Sequence, residues 1–279
     1  FVFRRFSEID FGLLVGSKRG VERECLRVVT GGNLAQTAHP TSLGEKLTCE
    51  FVTVDFSEGL LEMVTPPFES VSSVCEYLEQ ATAFVSQNLH DNEYLWSGSM
   101  PPVTTDSEIK MAYFGENNSA KMKQVYREGL ANRYGKTMQI IAGIHYNFSI
   151  SPDFLDAFPT LCDYKTSTDK QNALYFRIMR RFNHHAWLLA YLFGSTPIVP
   201  KNSVAELPEY LTELDENHYV GKYATTLRMS DLGYKSQAQE NLLISNKDVR
   251  SYVADLMHAT DTSYPEFAQI GIIGKNGKY

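Results

Sequence analysis

Acidic side chains recur early in this chain at spacings that could hold cations. Glu22 and Glu24 lie two apart in "GVERECLRV" (20–28), and Asp55, Glu58 and Glu62 follow in "VDFSEGLLE" (54–62). If 20–28 is extended, Glu22, Glu24, Leu26 and Val28 share one face, and Val21, Arg23, Cys25 and Arg27 the other. Carboxylates so placed lie about 6.6 Å apart. They repel by about 2.5 kcal/mol at an effective dielectric near 20, and each raises the other's pKa unless a cation intervenes. Such hard oxygen donors suit Mg²⁺, which usually completes its shell with substrate phosphates. On the alternation alone, two solvated glutamates remain the plainer reading.

His145, beside Gly143 and Asn147, falls on the polar face of "MQIIAGIHYNFSI" (138–150), in line with Gln139. A lone strand histidine is more often structural, but this polar face next to glycine tilts it towards a site. Arg228 in "TTLRMSD" reads equally as an oxyanion clamp or as a surface arginine paired with Asp231. "RYGKT" (133–137) imitates the end of a phosphate-binding loop, yet position 130 is Leu where that loop needs Gly, and the preceding residues read as helix. His184 and His185 lie inside a helical stretch and read as structural. Cys25 near Glu22 gives no zinc-ligand spacing.

The elements that would carry these residues follow from periodicity. Residues 49–67 read as two extended pieces around Asp55, ended by Pro66 and Pro67. Helices are expected over 71–89, near 119–134, over 169–193 (long and buried, ended by "GSTP") and over 247–259, with Ser245 and Asn246 as candidate caps. The segment 138–150 reads as a strand with an apolar face of Met138, Ile140, Ala142, Ile144, Tyr146, Phe148 and Ile150, its polar face lining something wet. Strand connections too short for parallel crossovers predict an α+β chain with a mostly antiparallel sheet.

Composition removes some classes. Lys plus Arg is 26 and Asp plus Glu 33 in 279 residues, a formal charge of −7, so no phosphate backbone is attracted and nucleic acid is not expected. No apolar run spans a membrane, and the first residues lack the pattern of a signal peptide. The four cysteines, Cys25, Cys49, Cys75 and Cys162, form no CxxC pair and read as reduced thiols in the cytoplasm.

Six stretches together resemble one family. "RGVERECLRV", "TVDFSEGLLEMVTP", "SMPP", "YREGLANRYGKTMQIIAGIHYNFS", "YLFGSTP" and "YATTLRMSDLGY" are similar, in order and spacing, to the proteobacterial type of glutamate–cysteine ligase, from about residue 18 onward. The resemblance implies ATP-dependent activation of the glutamate side-chain carboxylate as an acyl phosphate. The amine of cysteine then attacks, giving γ-glutamylcysteine, ADP and phosphate, the first step of glutathione biosynthesis. It implies a fold similar to the catalytic domain of glutamine synthetase, a curved sheet with outer helices, here one domain over 1–279.

By residue match, Glu22, Glu24, Asp55 and Glu62 would hold more than one Mg²⁺ (Mn²⁺ being an alternative) around the ATP phosphates. His145 would stand near the metals and the glutamate, and Arg228 would steady the anionic substrate or its phosphorylated form. Phe56, Tyr126, Leu130, Gln139 and Tyr234 would surround the cysteine, with Glu58 structural or supporting. Family members are longer, and the match stops at "GIIGKNGKY", so a C-terminal part carrying further metal, ATP and cysteine contacts is expected to be missing. Two alternatives stay open: an incomplete form that binds Mg-ATP without turnover, and a ligase of the same fold with another amine acceptor. Oligomeric state is not set by the sequence.

Overall fold

The computed structural model describes residues 11–157, 164–204, 207–230, 232–233 and 242–269. The architecture is α+β, built on an antiparallel sheet whose hub is β1 (Lys18–Val29). With β2 (Val52–Val54) and β3 (Leu60–Val64), β1 forms one side of that sheet: β3 pairs with β1 from Glu22↔Val64 to Leu26↔Leu60, and β2 pairs with β3. The opposite edge of β1 is shared. β4 (Glu93–Trp96) takes Leu26 to Val29, and β5 (Ile144–Ser149) takes Lys18 to Arg23. The two extended pieces around Asp55 are therefore β2 and β3, and the Asp55 N–H closes their reversal on the Leu60 carbonyl at 3.0 Å.

Residues opposite one another in an antiparallel pair share a face. On one face Cys25, Leu61, Met63, Val52 and Val54 pack with Val85 of α1 (Val71–Gln87). On the other, Leu26, Leu60 and Phe56 pack with Ile140, Ala142 and Leu130 of α2 (Asn118–Tyr134). Leu26, Leu60, Leu61 and Met63 are fully buried, each contributing about 1.5–3 kcal/mol of burial. The second face thus begins as core at Leu26 and becomes acidic at Glu24 and Glu22.

Asn117 caps α2 by accepting the Ala120 N–H at 2.9 Å, and Gly135 ends it at φ +76°. The Lys136 and Thr137 N–H groups donate to the Asp106 carboxylate, so "RYGKT" is a helix terminus and not a phosphate loop. A small antiparallel sheet, β6 (Ile198–Pro200), β7 (Leu211–Glu213) and β8 (His218–Gly221), is ordered β6-β8-β7. Its Val199 and Leu211 pack with Leu227, Ile141 and Met100, which anchors the backbone beside Arg228.

Three expectations are corrected. The 138–150 segment is not one strand: Met138–Ile140 is a 3-10 turn, and β5 begins only at Ile144. The Gly143 N–H is taken by the Glu24 carboxylate at 2.6 Å, which draws the backbone off a simple ladder. The supposed buried side of that segment is open at Ile144, Tyr146 and Phe148. α3 (Pro152–Ala157) packs on α4 (Ser167–Phe193), which has the expected length but is not buried throughout. Leu174 and Phe176 are covered, whereas Trp187, Tyr191 and Leu192 face outward. α5 (Val249–Asp261) is capped by Asp248 rather than by Ser245 or Asn246, because the Asp248 carboxylate accepts the Ser251 N–H at 2.9 Å. α6 (Pro265–Gln269) follows.

Among the described residues no helix is long and apolar enough to cross a membrane. Cys25, Cys49 and Cys75 are free thiols, and Cys162 lies outside the described residues.

Candidate active site

The sheet register assembles the acidic residues. Glu24 stands directly opposite Glu62 across β1 and β3, and Glu22 opposite His145 across β1 and β5. Asp55 follows β2 on the same face, since Thr53 is the partner of Glu62. Like charges directly opposite in a sheet are destabilising, so this arrangement is not one that stability alone selects.

Each carboxylate is held differently. Glu24, its side chain 9% exposed, accepts the Gly143 N–H and lies 3.2 Å from His145 Nε2 and 3.9 Å from Arg228 Nη2. Glu22 accepts from Asn147 Nδ2 at 2.8 Å. Burial pushes the Glu24 carboxyl up, with the Asp55 charge adding to it, against the Gly143 N–H, His145 and Arg228. Asp55 is also pushed up by loss of solvent, although its 47% side-chain exposure limits that push. Glu62 is perturbed most. Burial first, then the charges of Asp55, Glu22 and Glu24, raise it to about 7.

Cations and donors face this row. Arg127 donates Nε–H to the Asp55 carbonyl at 2.7 Å and Nη1–H to the Lys123 carbonyl at 3.0 Å, its ring partner being Phe114 at 4.6 Å. Arg228 reaches Glu24 over Gly143, where an added Cβ would stand 2.3 Å from Nη2; only glycine lets the guanidinium through. The Nε of Arg228 and the Nε2 of buried Gln139 have no hydrogen-bond partner among the described residues. An unpaired buried donor costs about 1–3 kcal/mol, so two of them at one cavity are a mark of ligand binding.

Every sequence candidate except Tyr234 lines one cavity of about 690 Å³: Glu22, Glu24, Asp55, Phe56, Glu62, Tyr126, Leu130, Gln139, His145 and Arg228. Tyr234 and Asp231 lie outside the described residues. Glu58 is not in the lining. Buried at 3%, it accepts from Lys46 Nζ and from the His39 and Tyr113 N–H groups, a structural hub. Arg127, Ile141, Met229 and Ser230 line the cavity without having been singled out. A signal for Arg127 was present, since it stands three residues before Leu130 in the same helix and so shares its face.

Among the described residues no three His, Cys, Asp or Glu side chains converge as a closed metal cage. The carboxylates are instead spread along the sheet face, where an ion could take one or two of them and complete its shell elsewhere.

The model of the glutamate-cysteine ligase family matches residues 6–279. The chain is 47% identical over 264 residues to a glutamate–cysteine ligase of Pseudomonas putida, covering 93% of this chain and 50% of that protein. It is 45% identical to one of Pseudomonas aeruginosa, covering 93% and 49%. The crystal structure of the glutamate–cysteine ligase of Francisella tularensis in complex with AMP superposes with a TM-score of 0.86 at 46% identity, over 94% of this chain and 51% of that one. A bifunctional glutathione synthetase of Pasteurella multocida gives a TM-score of 0.75 at 28% identity, over 96% and 32%. The chain spans about half the length of the curated relatives it matches.

Proposed function

This chain belongs to the glutamate–cysteine ligase family, and from that premise we propose that its acidic cavity is the metal–ATP wall of a ligase site joining the glutamate side-chain carboxylate to the amine of cysteine. The observation that carries this is the meeting of Glu22, Glu24, Asp55 and Glu62 with Arg228 and His145 in one cavity. The relatives' names support the reaction class, and the AMP complex of the Francisella protein supports a nucleotide.

The donor chemistry fits Mg²⁺. Burial first, and then the charges of Asp55, Glu22 and Glu24, lift Glu62 to about 7, and a cation among the carboxylates relieves the repulsive part. Glu22, Glu24, Asp55 and Glu62 would hold more than one ion, each sharing its shell with phosphate oxygens. When bound, the ions would neutralise ATP and align it for in-line transfer.

The chain's own residues do the rest. Phosphoryl transfer to a carboxylate brings anion to anion, so fixed positive charge at the reacting centre lowers the barrier. Arg228 lines the cavity and can turn its guanidinium to a carboxylate or phosphoryl oxygen, while Glu24 and Gly143 fix its height. His145 is held by Glu24 at the edge of the same row. Gln139 offers its unpartnered Nε2 beside Phe56, Tyr126 and Leu130, a half-apolar pocket suited to cysteine, with Tyr234 a further member. We take 1–279 as the N-terminal portion of a single catalytic domain, acting in the cytoplasm on small molecules and without nucleic-acid or membrane partners.

A second reading, for these 279 residues alone, is binding of Mg-ATP without turnover: among the described residues every residue of β5 is exposed, and the His145 side chain is 49% exposed. Phosphate release from Mg-ATP with glutamate, with and without cysteine, tests both. Cysteine-dependent release carries the ligase reading. Nucleotide binding without it carries the second, and release with other amines but not cysteine redirects the acceptor.

A further inference from the structure

A second cavity, of about 480 Å³, lies against the first and shares Arg127 with it, but has the opposite charge. Lys110, Arg127 and Lys136 line it with one carboxylate, Glu108, a formal balance of 3 − 1 = +2 in a chain whose net charge is −7. Glu108 is already engaged. It accepts the Thr105 N–H at 2.7 Å and the Thr105 hydroxyl at 2.9 Å as the capping residue of its turn, which holds its carboxyl below the usual range. Lys110 and Lys136 pair with no carboxylate among the described residues; the Lys136 ammonium donates only to the Ile109 carbonyl, at 3.2 Å.

Arg127 gives the cavity a fixed wall. Its side chain is 9% exposed, pinned through Nε and Nη1, with Nη2 left only a 4.0 Å approach to Asp55. Gln36 and Gln124 complete the polar lining, their amides engaged with the Leu34 and Glu108 carbonyls and with Glu128. Nothing in the ligase reading uses this cavity.

We propose that this cationic cavity binds a phosphate-class oxyanion through Lys110, Lys136 and Arg127. A doubly charged oxyanion matches the local balance of +2 and can accept from Arg127 Nη2 and two ammonium groups at once. The site shares Arg127 with the acidic cavity but holds its ligand without a divalent ion.

The test is calorimetric titration of the purified protein with inorganic phosphate in EDTA, at a fixed ionic strength of about 0.1 M chloride, where the acidic cavity repels an anion. Saturable binding is expected, weakened about tenfold by Lys110→Gln and again by Lys136→Gln, as the loss of one charge-assisted contact implies. Lys110→Arg and Lys136→Arg should retain it, which separates loss of charge from loss of fold, and Glu24→Gln should leave it unchanged. AMP in the same buffer distinguishes the source. Competition with phosphate that needs both lysines means a nucleotide's phosphate can enter, and no competition means the site takes the free oxyanion. Absence of saturable binding, wild-type affinity in both Gln variants, or loss in Glu24→Gln instead would overturn the proposal.

Discussion

Glu62→Gln should make the metal-free protein more stable at alkaline pH and leave it unchanged in acid. Glu62 rises from its ordinary 4.5 to about 7 in the fold. Because the folded value is the higher one, the folded state binds more protons than the unfolded state between those values, and stability falls as pH rises through that window. The rise from 4.5 to about 7 corresponds to about 3.4 kcal/mol for a fully shielded group, at about 1.36 kcal/mol for each tenfold change in proton affinity. The side chain lines an open cavity, so screening by solvent reduces this to roughly 1–2 kcal/mol. Glutamine keeps the shape and removes the charge. Urea unfolding followed by circular dichroism in EDTA should therefore give a gain of that size at about pH 8 and almost none at about pH 3.5, below both values. Added Mg²⁺ should shrink the gain by stabilising the wild type alone. An equal effect at both pH values, or a loss at pH 8, would refute the claim that Glu62 is held against its neighbours' charges.

Three further outcomes follow from particular contacts. Glu93→Ala strips the 2.7 Å partner from fully buried Arg27 and should cost about 3–5 kcal/mol in the same unfolding assay, far more than any cavity carboxylate. Gly143→Ala puts a Cβ into the Arg228 guanidinium, which can swing away, so the midpoint should move by less than about 1 kcal/mol while Mg-ATP affinity or turnover falls at least tenfold. Leu60→Ala, at a fully buried site behind the cavity, should lower stability by about 2–5 kcal/mol and disturb nucleotide binding only through loss of fold.

The acidic face was legible because strand alternation is a local rule: Glu22 and Glu24 fall on one side of β1 whatever it pairs with. Their convergence with Glu62 came from the family resemblance and not from alternation, since register Glu24↔Glu62 is set by the β1–β3 pairing and by the Asp55–Leu60 reversal. Residues 138–150 show the limit of pattern reading. Alternation there is satisfied by residue type, yet the Glu24 carboxylate takes the Gly143 N–H and Gln139 and Ile140 bury in succession, so the strand starts six residues late. The helix at 169–193 was legible in length and cap but not in burial, because apolar spacing says which face seeks cover and not whether cover is supplied. Arg127 was missed because a buried arginine is defined by the carbonyls it reaches, Asp55 and Lys123, one of them 72 residues away.

Calorimetry of ATP binding with and without Mg²⁺, in the wild type and in Glu24→Gln/Glu62→Gln, tests the central claim most directly. The account predicts saturable binding by the wild type only when Mg²⁺ is present, and at least tenfold weaker binding by the double variant, whose fold Glu62→Gln should if anything strengthen. ATP binding that is equally tight in EDTA, or unchanged when both carboxylates are neutralised, would contradict it.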